Sequence, residues 1–353
     1  MKLYQETLLK ITNTNKQYAI SAQNRLDELT KPPGSLGVLE KIAVQLACIQ
    51  EQTMPVIGKK AIMVMAGDHG VVEEGVSAFP REVTTQMVLN FVNQGAAINV
   101  LAKQVGAQVI IADVGIVDDM SAADGIEQRK VRNGTRNMAK ESAMTLEEAI
   151  AAIEVGIDLV NRQVAEGVTL FATGEMGIGN TTASSAIMAA FEDKSLELIT
   201  GRGTGIDDQG LQRKQQIIRQ ALVCNQPNRE DALDVLTKVG GLEIAALTGI
   251  ILGAAANKVP VVIDGFISTA AALVAYRMKS ETRDYMIASH LSQEPGHRIM
   301  LDSIGLQPML YLDLRLGEGT GAALAFPMIE AATKIIHEMA TFQQAGVSKQ
   351  GSV

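Results

Sequence analysis

Ala61-Ile-Met-Val-Met-Ala66 runs directly into Gly67-Asp68-His69-Gly70, an apolar stretch halted by glycine and polar side chains. A run that is apolar on both faces suits the interior of a parallel sheet, where helices cover each side. The unit recurs. Gln108–Ala112 leads into Asp113-Val-Gly115, Thr169–Ala172 into Thr-Gly-Glu175, Val259–Ile263 into Asp264-Gly265, and Asp284–Ala288 into Ser289-His290. Helical patterns separate these runs. Thr145-Leu-Glu-Glu148 reads as a capping box, with apolar positions at helical spacing from there to Val164, and Asn257 sits where a helix should end before a strand. Strand, turn and helix in repetition predict an α/β fold: a mostly parallel, Rossmann-like sheet with flanking helices.

In such a sheet, ligands bind beyond the carboxyl ends of the strands. Asp68, Asp113, Glu175, Asp264, His290 and Glu318 all stand at such ends, so one cleft is expected to gather them. Upstream, residues 1–52 read as helical and break at Lys31-Pro-Pro-Gly-Ser-Leu-Gly37, with a new helix near Val38. Downstream, Pro327 predicts a kink or restart in the last helix.

With 353 residues the chain can bury a substantial core. Its apolar content, 47%, is built from Ala, Val, Ile, Leu and Met, with 3% aromatic residues and no Trp. A net charge of −8 argues against a general nucleic-acid binder. Cys48 and Cys224 lack metal-ligand spacing and read as small buried hydrophobes. The first residues show no secretory pattern, and the longest apolar stretch, Ile244–Ala256, is too short to span a membrane. A cytoplasmic protein without a membrane segment is expected.

Three glycine-rich turns carry the chemistry. Gly174-Glu-Met-Gly177-Ile-Gly179-Asn180-Thr181-Thr182 follows a strand and opens a helix, where backbone N–H groups can cradle a phosphate. Its spacing matches a nucleoside-triphosphate loop, but Asn180 stands where the lysine belongs, so a triphosphate reading fails. A monophosphate cradle and a plain tight turn with a Thr cap both remain open. The second turn, Gly201-Arg202-Gly203-Thr204-Gly205, precedes a helix bearing Lys214. A phosphate needs a cation, and Lys214 or Arg202 is nearest. In the third, Gly317-Glu318-Gly319-Thr320-Gly321, one carboxylate stands among glycines and can approach a ligand unobstructed. The four histidines form no ligand pattern, so no metal is expected. The basic run from Arg129 to Lys140 reads as a solvated loop. Phe79, Met87, Met176 and Leu316 could wall a flat aromatic ligand, with Ser77 or Gln86 as polar contacts.

Taken in order, these segments resemble the nicotinate-nucleotide:dimethylbenzimidazole phosphoribosyltransferase family of cobalamin nucleotide-loop assembly. The likeness spans nearly the whole chain: Lys31–Gly37, Gly67–Gly70, Gly75–Pro80, Glu82–Met87, Gly174–Thr182, Asp264–Ser268, Ser289-His290 and Leu314–Gly321. It implies an α/β body over residues 53–327, a small helical domain from residues 1–52 and 328–353, and a homodimer. It also implies transfer of 5-phosphoribosyl from nicotinate mononucleotide to 5,6-dimethylbenzimidazole, without a cofactor. Glu318 is then the catalytic base and Glu175 a second active-site carboxylate. Gly177, Gly179, Asn180, Thr181, Gly203, Thr204, Gly205, Lys214, Asp264 and Ser292 are the implied phosphate and ribose contacts. Ser77, Phe79, Gln86, Met176 and Leu316 are the implied base pocket. Another acceptor base, purine or phenol, and a non-catalytic nucleotide sensor are the rival readings.

Overall fold

The computed structural model describes residues 2–192 and 194–348. It opens with α1 (Lys2–Lys10), α2 (Gln17–Asp27) and α3 (Val38–Gln50). Then come β1 (Lys59–Gly67), α4 (Val83–Val92), α5 (Ala97–Gln104), β2 (Gln108–Gly115), β3 (Ile126–Gln128) and α6 (Leu146–Ala165). The middle of the chain holds β4 (Val168–Met176), α7 (Asn180–Phe191), α8 (Leu196–Ile199), α9 (Asp208–Asn225), α10 (Ala232–Val239) and α11 (Leu242–Ala256). It closes with β5 (Val261–Ile263), α12 (Phe266–Met278), β6 (Met286–Ala288), α13 (Gly296–Ile304), α14 (Thr320–Glu338) and α15 (Phe342–Ala345).

All strand pairs are parallel, in the order β3-β2-β1-β4-β5-β6. The chain builds outward from β1 to β3, then returns to the opposite side of β1 as β4. The switch in direction therefore falls between β1 and β4, the place where open α/β sheets leave a crevice.

Why β1 is apolar from residue 61 to 66 follows from its two faces. Ala61, Met63 and Met65 join the core beneath α6, α11 and α12, while Ile62, Val64 and Ala66 join the core beneath α3 and α14. Alternate side chains leave opposite faces of a strand, so burial on both sides removes any polar alternation. On the first face, α6 and α11 come into backbone contact: a Cβ on Gly156 would lie 2.0 Å from the Ala246 carbonyl oxygen, and one on Gly249 2.0 Å from that of Ile153. The Ala- and Gly-rich stretch is thus a fully covered helix, and no described helix is long and apolar enough to cross a membrane.

Thr145 caps α6 by accepting from the Glu148 N–H, with Glu148 returning the bond, as the capping box predicts. α14 runs through Pro327 as one helix, so no restart occurs there. The two chain ends meet: Leu29 bridges Thr341, the Thr30 N–H donates to the Ala340 carbonyl (3.0 Å), and the Phe342 N–H donates to that of Glu28 (2.9 Å). The Pro-Gly stretch is pinned by a buried Lys31–Glu40 ion pair (2.9 Å) whose carboxylate also accepts from the Leu36 N–H. Cys48 is buried as expected; Cys224, on the outer part of α9, is exposed, contrary to the sequence reading. The basic run is no free loop: Arg132 and Arg136 pair with Glu148, and Lys140 with Glu73 and Glu74. The Gly-, Ser-, Lys- and Gln-bearing tail beyond Gln344 predicts fraying, and residues 349–353 of it lie outside the described residues.

Candidate active site

A cavity of about 360 Å³ opens at the carboxyl ends of β4, β5 and β6. Its floor is acidic: Glu175 ends β4, Asp264 follows β5, and Glu318 comes from the turn before α14, with His290 and Arg315 alongside. Each of the three carboxylates is at most 5% exposed.

Glu318 is held in an unusual backbone. Gly317, Glu318 and Gly319 have successive φ values of +96°, +64° and +88°, and Glu318 is the one non-glycine among them. The left-handed region costs a residue with a Cβ roughly 1–2 kcal/mol, so its neighbours must over-determine the turn. Gly174 allows the turn to lie on β4, because a Cβ there would come within 2.7 Å of the Glu318 carbonyl oxygen. Glu318 Oε2 is buried without a hydrogen-bond partner among the described residues. Burial, and then the nearby Asp264 charge, raise the Glu318 carboxyl above its ordinary value, while the Ile98 amide pulls it back.

Glu175 accepts from the Asn180 side-chain amide. Burial, followed by the charges of Asp264, Glu243 and Glu318, pushes its carboxyl up to about 8. The carboxyl therefore keeps a proton near neutral pH, a state that an entering cation would oppose.

The opposite wall is backed by a buried cation. α7 begins after Gly179, whose φ is +96°, and its first residues, Asn180 and Thr181, line the cavity. Thr181 and Gly203 line it, and the Lys214 ammonium lies behind them, donating to Thr181 Oγ1 (2.8 Å) and the Gly201 carbonyl (3.2 Å). Burial brings the Lys214 ammonium down to about 8, with Glu294 opposing the fall. Glu294 in turn accepts from the Gly203 N–H (2.9 Å), fixing the second glycine-rich turn. Ser292 is positioned from behind by His297, whose Nδ1 accepts from the Ser292 N–H (2.9 Å) and whose Nε2 faces Thr269 Oγ1 at 2.9 Å. Burial lowers the His297 imidazole to about 3, so it is neutral with its proton on Nε2. The remaining wall is apolar, made by Phe79, Val83, Met87, Met176, Ile178 and Leu316.

A family model described as "Phosphoribosyltransferase" matches residues 11–347. The chain belongs to this phosphoribosyltransferase family. It is 57% identical, over 348 residues and 99% of both chains, to the nicotinate-nucleotide–dimethylbenzimidazole phosphoribosyltransferase of Citrifermentans bemidjiense. Its identity to the enzyme of that name from Desulforamulus reducens is also 57%, over 350 residues, 99% of this chain and 100% of the relative. The crystal structure of CobT from Thermus thermophilus superposes with a TM-score of 0.91 at 49% identity, covering 95% of this chain and all of that one.

In this phosphoribosyltransferase the cavity gathers Glu318, Glu175, Gly177, Asn180, Thr181, Gly203, Thr204, Asp264, Ser292, Phe79, Met176 and Leu316. Other expected residues stand outside its lining. Gly179 packs on His69 and Val72, and Gly205 faces open space. Ser77 touches Thr204 at 3.4 Å near the rim, Gln86 is exposed, and Lys214 acts from beneath the wall. Arg202 lies outside the cavity's lining and pairs with Asp208. Asp68 and Asp113 do not join the cleft either. Their strand ends lie on the β1–β2 side, where Asp68 accepts from the Val117 N–H (2.8 Å) and Asp113 accepts from the Ile116 N–H (2.8 Å) and pairs with Lys130 (3.3 Å). Both fasten loops. His69 is likewise committed, to Glu243 at 2.5 Å. Glu294 and Arg315 reach the cavity without a signal that singled them out: both lie in irregular segments, where periodicity says nothing of direction.

Proposed function

We propose that the chain transfers the 5-phosphoribosyl group of nicotinate mononucleotide to 5,6-dimethylbenzimidazole, giving α-ribazole 5′-phosphate and nicotinate for the cobalamin lower ligand. Beyond family membership, one observation carries this reading. The buried carboxylate Glu318, one oxygen of which has no hydrogen-bond partner among the described residues, stands in a cavity with one apolar wall and one wall backed by the Lys214 ammonium.

The donor ring is a pyridinium that leaves as a neutral ring nitrogen, so no general acid is needed. Loss of the ring leaves positive character on the ribose, which ionised Glu175 stabilises. The benzimidazole attacks through its unprotonated nitrogen from the opposite face, so the β donor gives an α product. Its second nitrogen then loses a proton, and Glu318 is the base that takes it. The α7 amides, Thr181 and Lys214 hold the phosphate, remote from the bond that breaks, and so fix the ribose between the two rings. Ser77, Gln86, Gly179 and Gly205 contribute at most from outside the cavity's lining.

The same reading makes the protein a cytoplasmic homodimer. Its helices at residues 1–52 and 328–353 form a small unit beside the 53–327 body, in keeping with the Leu29–Thr341 bridge. Incubation with both substrates should release nicotinate in step with an equal amount of α-ribazole phosphate, read by chromatography. No nicotinate released with both substrates present would sink the proposal; release with a purine or phenol alone would change the acceptor.

A further inference from the structure

Asp264 is placed too well for a ligand contact and too close to Glu318 for a bystander. It is 2% exposed, both its oxygens accept from one neighbouring turn, and Oδ1 also lies 4.0 Å from His290 Nδ1. Oδ2 accepts from the Gly319 N–H (3.2 Å) and Oδ1 from the Ala322 N–H (2.9 Å). Gly319 occupies the cap position of α14 and has no side chain with which to satisfy the helix amides. Asp264, arriving from β5, performs that task across the fold. A helix N-terminus favours negative charge, which suits a carboxylate there. A carboxylate turned this way offers nothing to a phosphate, and its charge would repel one.

Its own position is secured from the strands. The Asp264 N–H donates to Thr173 Oγ1 (3.2 Å), and Ser289 Oγ donates to the Asp264 carbonyl (3.3 Å). A rigid support on β4, β5 and β6 thus reaches a turn whose backbone is unfavourable by itself. A second tie on that turn comes from Thr320, whose hydroxyl donates to the Gly317 carbonyl at 2.8 Å.

We propose that Asp264 is a positioning residue for the Glu318 turn, and that it also sets the field in which Glu318 takes a proton, rather than being a phosphate or ribose contact. This rests on the reading of Glu318 as the base. The charged and titratable groups around Glu318 are Asp264 after β5, Glu175 at the end of β4, His290 after β6 and Arg315 on its own segment. The first amides of α5 add a positive pole through Ile98. Among these, Asp264 joins a geometric tie with a like charge, and the like charge makes Glu318 a stronger base.

Asp264→Asn keeps one acceptor and sets an NH2 group against a backbone N–H. The expected result is a fall in kcat of about 10- to 100-fold, as for a misplaced reacting group. The KM for nicotinate mononucleotide should stay within about threefold, and the acid limb of kcat should move to lower pH, because Glu318, and Glu175 with it, lose a negative neighbour. A role in packing alone would not move that limb. Thr320→Val is the second arm: it loosens the same turn without altering charge, so kcat should fall with the limb unmoved. If Asp264→Asn does not fold, as read by circular dichroism, the second arm decides: a Thr320→Val enzyme with wild-type kcat overturns the proposal. A KM raised tenfold or more at unchanged kcat would make Asp264 a ligand contact and overturn it. So would a reduced kcat whose acid limb stays in place. Wild type and Glu318→Gln run alongside; if those two are equally active, it is the base assignment that has failed.

Discussion

At Glu318, a single carboxylate combines a buried oxygen unpaired among the described residues with a left-handed backbone, and removing its charge separates chemistry from binding. Glu318→Gln should lower kcat by about 10²- to 10⁴-fold, the usual worth of a general base, with the KM for the mononucleotide changed by less than about threefold. Steady-state rates check it, and a wild-type kcat would end the role. Two further groups set the pH response. Glu175 is pushed up to about 8 and Lys214 brought down to about 8. Because kcat/KM reports the free enzyme, it should fall below pH 8 as Glu175 takes up a proton and above pH 8 as Lys214 loses one. Lys214→Ala should raise the KM for the mononucleotide and abolish the alkaline limb; an alkaline limb that survives would assign it elsewhere. Glu318 was legible in the sequence because glycines on both sides announce a backbone no ordinary residue adopts. The burial of Lys214 was not, since a lysine on a helix tells nothing of which wall that helix supports.

Between elements, α6 and α11 depend on the absence of side chains where they touch. Gly249→Ala would bring a methyl group within 2.0 Å of the Ile153 carbonyl oxygen. The helices must separate, at a cost of about 1–3 kcal/mol or more. Urea unfolding should show a lower midpoint with an unchanged slope; an unchanged midpoint would mean the contact is looser than described. Five of the six strands could be read from their apolar runs, because burial on both faces leaves an unmistakable stretch. Ile126-Glu-Gln128 could not, being three residues long at the sheet edge with one buried side chain. The common cleft for all strand-end carboxylates failed for a topological reason. Sequence order does not reveal that β2 and β3 lie on the far side of β1, and this is what separates Asp68 and Asp113 from Glu175 and Asp264.

For the molecule as a whole, apolar surface stays uncovered on the segment that leads to Glu318: Tyr311, Leu312 and Leu316 are all exposed. Patches of this kind mark protein contacts, in keeping with a homodimer. Sedimentation equilibrium should return about twice the 37.6 kDa of one chain; a single-chain mass at micromolar concentration would count against it. Cys224 offers a different use. Cys48 is buried and Cys224 exposed, so a maleimide fluorophore added briefly to the folded, unmodified chain should attach first at Cys224. That place lies ten residues along α9 from Lys214, roughly 15 Å at 1.5 Å per residue. A dye there would sit on the same rigid rod as the lysine beneath the cavity wall, giving an optical gauge of donor occupancy that requires no turnover and no engineered cysteine.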